Sequence, residues 1–334
     1  MIFSIQNWND AAEMNKFIPV TSSLSFESVE ASLNNAWQLF IIPLLGDELS
    51  ADIDSYYDNP SATPEQQHLL QLCQRAIANL AFWYDFTELN MRISDQGFQR
   101  QESEGSFKQA YKYQEDNLRN NFRNKGFNTL DTIIDYLLQH TADFPHFEQS
   151  PIFDEQKKSL VRNAAEVNEV YFINKSHLVF LRLKPMFNNV EHNRLRPLIG
   201  DKMYSKLLAC MQQNAEYIQE PTEYTSGLQT EDFRVLCGKY IILLSIASLI
   251  RETGSITDRG LYFASIDHNA NGNFNARPAS LEERDRQAFA CEKEAACYES
   301  DILLTVKECF PDEYPGSSTD SFKRDNNNKR TIWL

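Results

Sequence analysis

Apolar side chains at 26, 29, 33, 36, 37 and 40 recur every three to four residues, which predicts an amphipathic helix over 25–40. Pro43 is expected to stop it and Gly46-Asp47 to restart the chain. Asp47 and Glu48 then fall in the first turn of the next helix, where carboxylates suit the helix dipole. Leu69, Leu72, Cys73, Ala76, Ile77, Leu80, Trp83 and Tyr84 line one side of a longer central helix, expected from Glu65 to about Ile93. Ala81 and Phe82 widen its apolar surface, which places it in the middle of a bundle. Leu236 to Ile250 reads the same way. With only 11 glycines and few short strands between regular turns, the expected class is all-α.

These patterns occur twice. PLLGDEL at 43–49 returns as PLIGDKM at 197–203. Upstream, Phe17-Ile18 answers to Phe172-Ile173. Downstream, LCQRAIANLAFW at 72–83 parallels LCGKYIILLSIA at 236–247, and ISDQG at 93–97 parallels ITDRG at 256–260. Polar amphipathic stretches at 111–122 and 283–295 follow, each leading into an apolar segment, 129–138 and 298–310. Landmarks kept in one order are the signature of a tandem duplication. The expected organisation is a helical-bundle repeat over 1–145, a second over 156–312 and a tail over 313–334. The boundary falls in 140–155, where two prolines break the helical pattern.

Both PL[LI]GD motifs read as helix–turn–helix corners built on Pro43, Gly46 and Asp47 and on Pro197, Gly200 and Asp201. The glycine permits tight backbone and the aspartate caps. The later motif, Ile93, Ser94, Asp95 and Gly97 in one copy and Ile256, Thr257, Asp258 and Gly260 in the other, is turn chemistry. Phe98 and Arg100 belong to the polar, glycine- and asparagine-rich loop that follows in the first copy, and Asn271 to its counterpart. Loops or short hairpins at one point of both copies are either contact loops or plain surface. DHNANGN at 267–273 has Asp267, Asn269, Asn271 and Gly272 spaced like the opening of a calcium loop. Pro278 stands where that loop needs its glutamate, so Asn-Gly is read as a turn.

The net charge of −15 argues against nucleic-acid binding by counterion release. Residues 1–150 hold nine Lys/Arg against 21 Asp/Glu, and residues 151–334 hold 23 against 26, so the acidity sits in the first half. Six cysteines without a CxxC pair are expected to be buried free thiols. The histidines form no HxxxH or HExxH pair, and GxSxG, P-loop and GxGxxG motifs are missing, so no catalytic centre, cofactor or metal is expected. The first 17 residues lack the basic start and continuous apolar core of a signal peptide. The longest apolar run, 240–250, is too short to cross a bilayer, so no membrane contact is expected. From 321 onward Arg324, Lys329 and Arg330 join Lys323 ahead of Ile332 and Trp333, an apolar hook. It either folds back on the acidic first copy or docks into a neighbouring subunit.

Pro43 to Leu49, Arg75 to Phe86 and Ile93 to Arg100 resemble a group of Bacteroidetes prophage proteins of uncharacterised function. That group is similar in helical layout to the head–tail connector, or head-completion, proteins of tailed phages. The resemblance covers nearly all of 15–140 and, more faintly, 170–310. It implies a non-enzymatic adaptor in the neck of a virion, assembled in the bacterial host cytoplasm as a homo-oligomeric ring of twelve copies. Its partners would be its own copies, the portal protein and the tail or a neighbouring ring.

Overall fold

The central helix of the first half starts where local chemistry says it should. Thr63 accepts a hydrogen bond from the Gln66 N–H while the Gln66 side chain accepts one from the Thr63 N–H, and Pro64 fills the first helical position. The last helix opens with the same device at Ser280 and Glu283. The computed structural model describes residues 2–89, 91–94, 97–100, 111–156, 159–214, 226–253, 262–265, 275–278 and 280–311. It divides into two units, Met1–Gln156 with Ser176–Leu178, and Lys157–Lys175 with Val179–Leu334. The class is all-α, with one two-stranded hairpin in each unit.

Unit 1 begins with two single turns, α1 (Ile5–Trp8) and α2 (Ala12–Asn15). Helix α3 (Glu30–Ala36) runs through a π-helical turn, Trp37–Ile41, into α4 (Ile42–Leu45). After Gly46 come α5 (Asp47–Tyr57), the central α6 (Pro64–Tyr84) and the short α7 (Phe86–Leu89). Strands β1 (Met91–Ser94) and β2 (Gly97–Arg100) pair antiparallel, with Ile93 opposite Phe98 and Ser94 opposite Gly97. Helix α8 (Lys112–Gln139) returns along α6, and two 3₁₀ turns lead to α9 (Pro151–Gln156). The core gathers Leu33, Leu45, Leu49 and Ile53 around Leu69, Cys73, Ile77 and Leu80 of α6, closed by Ile133 and Leu137 of α8. Gly126 lets α8 approach closely, because a Cβ there would lie 2.6 Å from the buried Leu80 side chain.

Unit 2 repeats the order of elements: α10 (Ala164–Val170), α11 (His177–Val190), a π-helical turn at Glu191–Leu195, α12 (Arg196–Ile199), Gly200, α13 (Asp201–Asn214), and the central α14 (Ser226–Thr253). Strands β3 (Tyr262–Ser265) and β4 (Asn275–Pro278) form its hairpin, and α15 (Leu281–Cys309) packs along α14. Its core surrounds Cys237, Ile241, Leu243, Ile246 and Ile250 with Phe180, Leu183, Phe187, Leu207, Ile302 and Val306.

Several expectations need correction. The first helix begins at Glu30 and does not stop at Pro43; the break comes at Gly46. The central helix ends at Tyr84, so Ile93 lies on a strand instead. The stretch 140–155, expected to hold the boundary, belongs to unit 1: Phe144 and Phe147 are buried in its core, and the division falls after Gln156. Helix α14 is longer than the expected run, and by length and composition alone Thr230–Arg251 suffices to cross a membrane. Most of that stretch is buried inside unit 2, where α10 and α15 pack on α14. Cys73, Cys237 and Cys291 are buried thiols, whereas Cys297 and Cys309 are exposed. Burial pushes the Cys73 and Cys237 thiols up.

Candidate interaction surface

Each corner begins with a proline. Pro43 and Pro197 lack the N–H that an α-helix needs, and their rings crowd the carbonyl four residues back. The helix widens just before them. The Ile42 N–H bonds the Trp37 carbonyl and the Arg196 N–H bonds the Glu191 carbonyl, both five residues apart, so one π turn absorbs each proline. Gly46 (φ 84°, ψ 165°) and Gly200 (φ 82°, ψ 157°) then break the helix in a backbone region that a side chain would strain. Leu45 and Leu49 are buried after the turn, as are Ile199 and Met203. The residue before each new helix is the glycine, so Asp47 does not cap by hydrogen bond; it sits in the first turn, where it favours the dipole. In unit 2 Asp201 also occupies the first turn and accepts from Arg196 Nε at 2.6 Å.

The π turn of unit 1 carries Leu39 at the surface and Phe40 partly buried against the core. Leu39 is about half exposed, and the Phe40 ring lies 6.0 Å from Trp83, from Tyr84 and from Phe127. The Arg123 guanidinium stands over Trp83 and Phe127 at 5.6 and 5.5 Å. Beyond it, Tyr111 and Tyr113 stack at the start of α8, both well exposed. This aromatic patch occupies the end of α6, the same end from which α7 leads into the β1–β2 hairpin. Unit 2 has ionic chemistry at the corresponding place. Arg194 takes the position of Phe40, and Arg251 near the end of α14 forms ion pairs with Glu292 and, at 3.7 Å, Asp285. The Arg251 hydrogen bond holds the Glu292 carboxyl below its usual range.

The hairpins stand at one point of both units, but the ISDQG and ITDRG motifs do not. In unit 1, Ser94 ends β1 and Gly97 begins β2; Phe98 and Arg100 lie on β2. In unit 2 the strands start only at Tyr262, after the motif. Asp95, Thr257, Asp258, Gly260 and Asn271 lie outside the described residues, as do Arg324, Lys329, Arg330, Ile332 and Trp333. Among the described residues no three His, Cys, Asp or Glu side chains gather as a metal site.

A further correspondence joins the two units near their starts. AAEMN at 11–15 and AAEVN at 164–168 echo at an offset of 153. In both, the glutamate latches the entry segment to the central helix. Gln74 Nε2 donates to the Ile2 carbonyl at 2.8 Å and to Glu13 Oε1 at 3.2 Å; Tyr57 adds its hydroxyl to Glu13 at 2.8 Å. Arg234 Nη1 donates to the Leu160 carbonyl at 2.6 Å, and its Nη2 to Glu166 at 2.7 Å and Glu231 at 2.9 Å. The asparagines cap in the same way, Asn15 accepting from Val20 N–H and Asn168 from Ile173 N–H. Beside the second latch, buried Glu191 accepts from Ser159 Oγ, the Leu160 N–H and the Tyr204 hydroxyl. Burial raises the Glu191 carboxyl, while burial and then the Glu191 charge push Tyr204 up to about 12. These groups are spent on holding the chain in place.

Residues 41–157 match the Family of unknown function (DUF6712). The match starts in the first corner, where the π turn ends, and runs to the end of α9, so it concerns unit 1. No curated protein matches the chain, and no solved structure does.

Proposed function

We propose that this chain is a non-catalytic structural component of a tailed-phage virion, an adaptor ring at the head–tail connector that joins portal and tail. The observation that carries the reading is the pair of modules with one plan and unlike outer faces. Module one exposes Leu39 and Tyr84 over the partly buried Phe40 and Trp83 at the end of α6 that leads to its hairpin, whereas module two presents ion pairs. A chain with two similar modules of different surface chemistry suits head-to-tail packing in a closed ring, where one face must meet a different face of the next copy. Tandem duplication supplies the two modules, and the buried polar clusters fit structural latching better than catalysis. The resemblance to prophage connector-like proteins supplies the setting.

The test is mass spectrometry on density-purified phage particles from the induced host, with copy number referred to the major capsid protein. About a dozen copies per particle are expected. Recovery of the chain only from the soluble lysate would overturn the reading and favour an accessory protein-binding role.

A further inference from the structure

The entry segment of unit 1 does more than close its own core. Asn9, Asp10 and Ala11 are three successive left-handed residues, with φ of 42°, 52° and 62°. Asparagine and aspartate tolerate that region; alanine does not do so readily. The turn is held because Ala11 is buried and because Trp8, also buried, donates its Nε1 to the Leu24 carbonyl at 2.8 Å and meets Phe26 edge-on at 5.4 Å. Between residues 5–10 and 22–27 this leaves a cleft of about 480 Å³. Gln6, Asn9, Ser22, Ser23 and Ser25 make most of its exposed lining polar, Ile5 and Leu24 add a smaller apolar part over the buried Trp8 and Phe26, and the carboxylates of Asp10 and Glu27 stand on its rim, both exposed. Ile5 is more than half exposed at its edge.

The surroundings select the sign of any occupant. The first 74 residues contain ten Asp/Glu, one lysine and no arginine. A basic peptide that also carries polar and a few apolar side chains fits such a cleft, its cations meeting the rim carboxylates and its apolar groups the smaller apolar part. Residues 321–334, SFKRDNNNKRTIWL, have that composition: four basic residues, one acidic, and Phe322, Ile332, Trp333 and Leu334. We infer that the cleft lined by Trp8, Asp10, Leu24 and Glu27 receives the basic, apolar segment 321–334 of a second copy of this chain. The assignment rests on the ring reading only in requiring that second copy.

The test uses the full chain and a fluorescein-labelled synthetic peptide of residues 321–334, followed by anisotropy. Saturable binding is expected. The double substitution Asp10→Lys/Glu27→Lys should weaken it about tenfold, since rim charges set attraction and specificity. Asp47→Lys/Asp54→Lys, on α5 and away from the cleft lining, should leave it within a factor of about two. Ser23→Trp fills the cleft without changing charge and should also weaken binding. No saturable binding, or equal weakening by both lysine pairs, overturns the inference. A photo-cross-linker at position 23, in a mixture of light- and heavy-nitrogen chains, then identifies the donor. Adducts joining the two isotopes support a second copy. Adducts confined to one isotope give the cleft to the chain's own segment and overturn the assignment. Peptide binding by purified protein is independent of whether the chain is found in particles, so the two readings fail separately.

Discussion

The first residue of each π turn occupies the same place in the fold, and the two units fill it with opposite chemistry. Trp37 and Glu191 stand 154 residues apart, both buried, each with its backbone carbonyl accepting the wide hydrogen bond of the turn. Thirteen residues on, the contrast is reversed: Ser50 is buried in unit 1 and Tyr204 in unit 2. Where unit 1 places a large apolar group and a small hydroxyl, unit 2 places a carboxylate that accepts from a phenol. The backbone is nearly unchanged, because Pro43 and Pro197 force the π turn and Gly46 and Gly200 force the break whatever the neighbours are. Proline and glycine write the plan, and the side chains around it are interchangeable as long as volume and hydrogen bonding balance.

The latches carry the same contrast into energetics, and they give the largest predicted effect. Arg234 is almost wholly buried between Glu166 and Glu231, so Arg234→Ala removes the buried cation that both carboxylates share and leaves only Arg162 paired with Glu231. A loss of about 3–5 kcal/mol is expected. Gln74→Ala removes a neutral donor from Glu13 and the Ile2 carbonyl and should remove about 1–2 kcal/mol. Urea unfolding of both variants checks this, and equal losses would break the comparison. The corners predict the next effect, and here the units should agree. Gly46→Ala and Gly200→Ala place a side chain at φ of 84° and 82°, and each should destabilise by about 1–3 kcal/mol. A silent substitution at either corner would show that its backbone can relax and that the two corners are not alike.

How much of this was readable depends on whether the cause was local. The corners were legible because proline and glycine act through their own backbone. The π turn was not, since nothing in WQLFI or EHNRL signals it except the proline that follows. The helix stop was misplaced for the same reason: a proline one turn into a widened helix is tolerated. Phe144 and Phe147 sit in a proline-broken stretch that reads as linker, and only tertiary packing reveals them as core. The aromatic patch was half legible, because spacing reads Phe40 and Trp83 as core and they are partly buried there, while it gives no sign that Leu39 and Tyr84 stand exposed beside them. The Glu13 and Glu166 latches had a sequence signal, AAEMN against AAEVN, short enough to pass unnoticed. Ion-pair chemistry around Arg234 had none, since its partners lie three and 68 positions away.

Acidification should separate the latches by sign. Burial is the largest influence on Glu13 and raises its carboxyl above 4.5, outweighing Tyr57 and Lys16. The folded state therefore binds the proton more tightly, and the favourable contribution of Glu13 is complete below 4.5 and lost as pH rises through the raised value. Glu231 is also penalised by burial, but Arg234 and then Arg162 outweigh it and hold the carboxyl below 4.5. Its contribution is complete above 4.5 and disappears as pH falls through the lowered value. Measured against Glu13→Gln, the native chain should gain stability as pH drops toward 4.5. Measured against Glu231→Gln, it should lose stability below 4.5. Slopes of one sign in both comparisons would mean that the latches do not differ as their partners suggest.

The smallest effect on stability should carry the largest consequence for assembly. Tyr84 is half exposed and contributes one edge contact to Phe40 and one to Trp83, so Tyr84→Ser should change the unfolding free energy by no more than about 0.5–1 kcal/mol. Arg251→Ser removes the ion pairs with Glu292 and Asp285 at the corresponding end of unit 2, exposed enough that a comparably small change is expected. If the two outer faces meet unlike partners, the two substitutions should act differently on incorporation into particles. An aromatic anchor at the centre of a contact is worth more than a rim ion pair, so Tyr84→Ser should reduce the copy number per particle far more than Arg251→Ser. Adding salt should shrink the effect of Arg251→Ser and leave that of Tyr84→Ser nearly unchanged, because the native ion pairs are screened while apolar burial is not. Equal copy numbers for both variants, with both chains folded, would show that the aromatic patch is ordinary surface and that module one owes its exposed rings to nothing but the π turn beneath them.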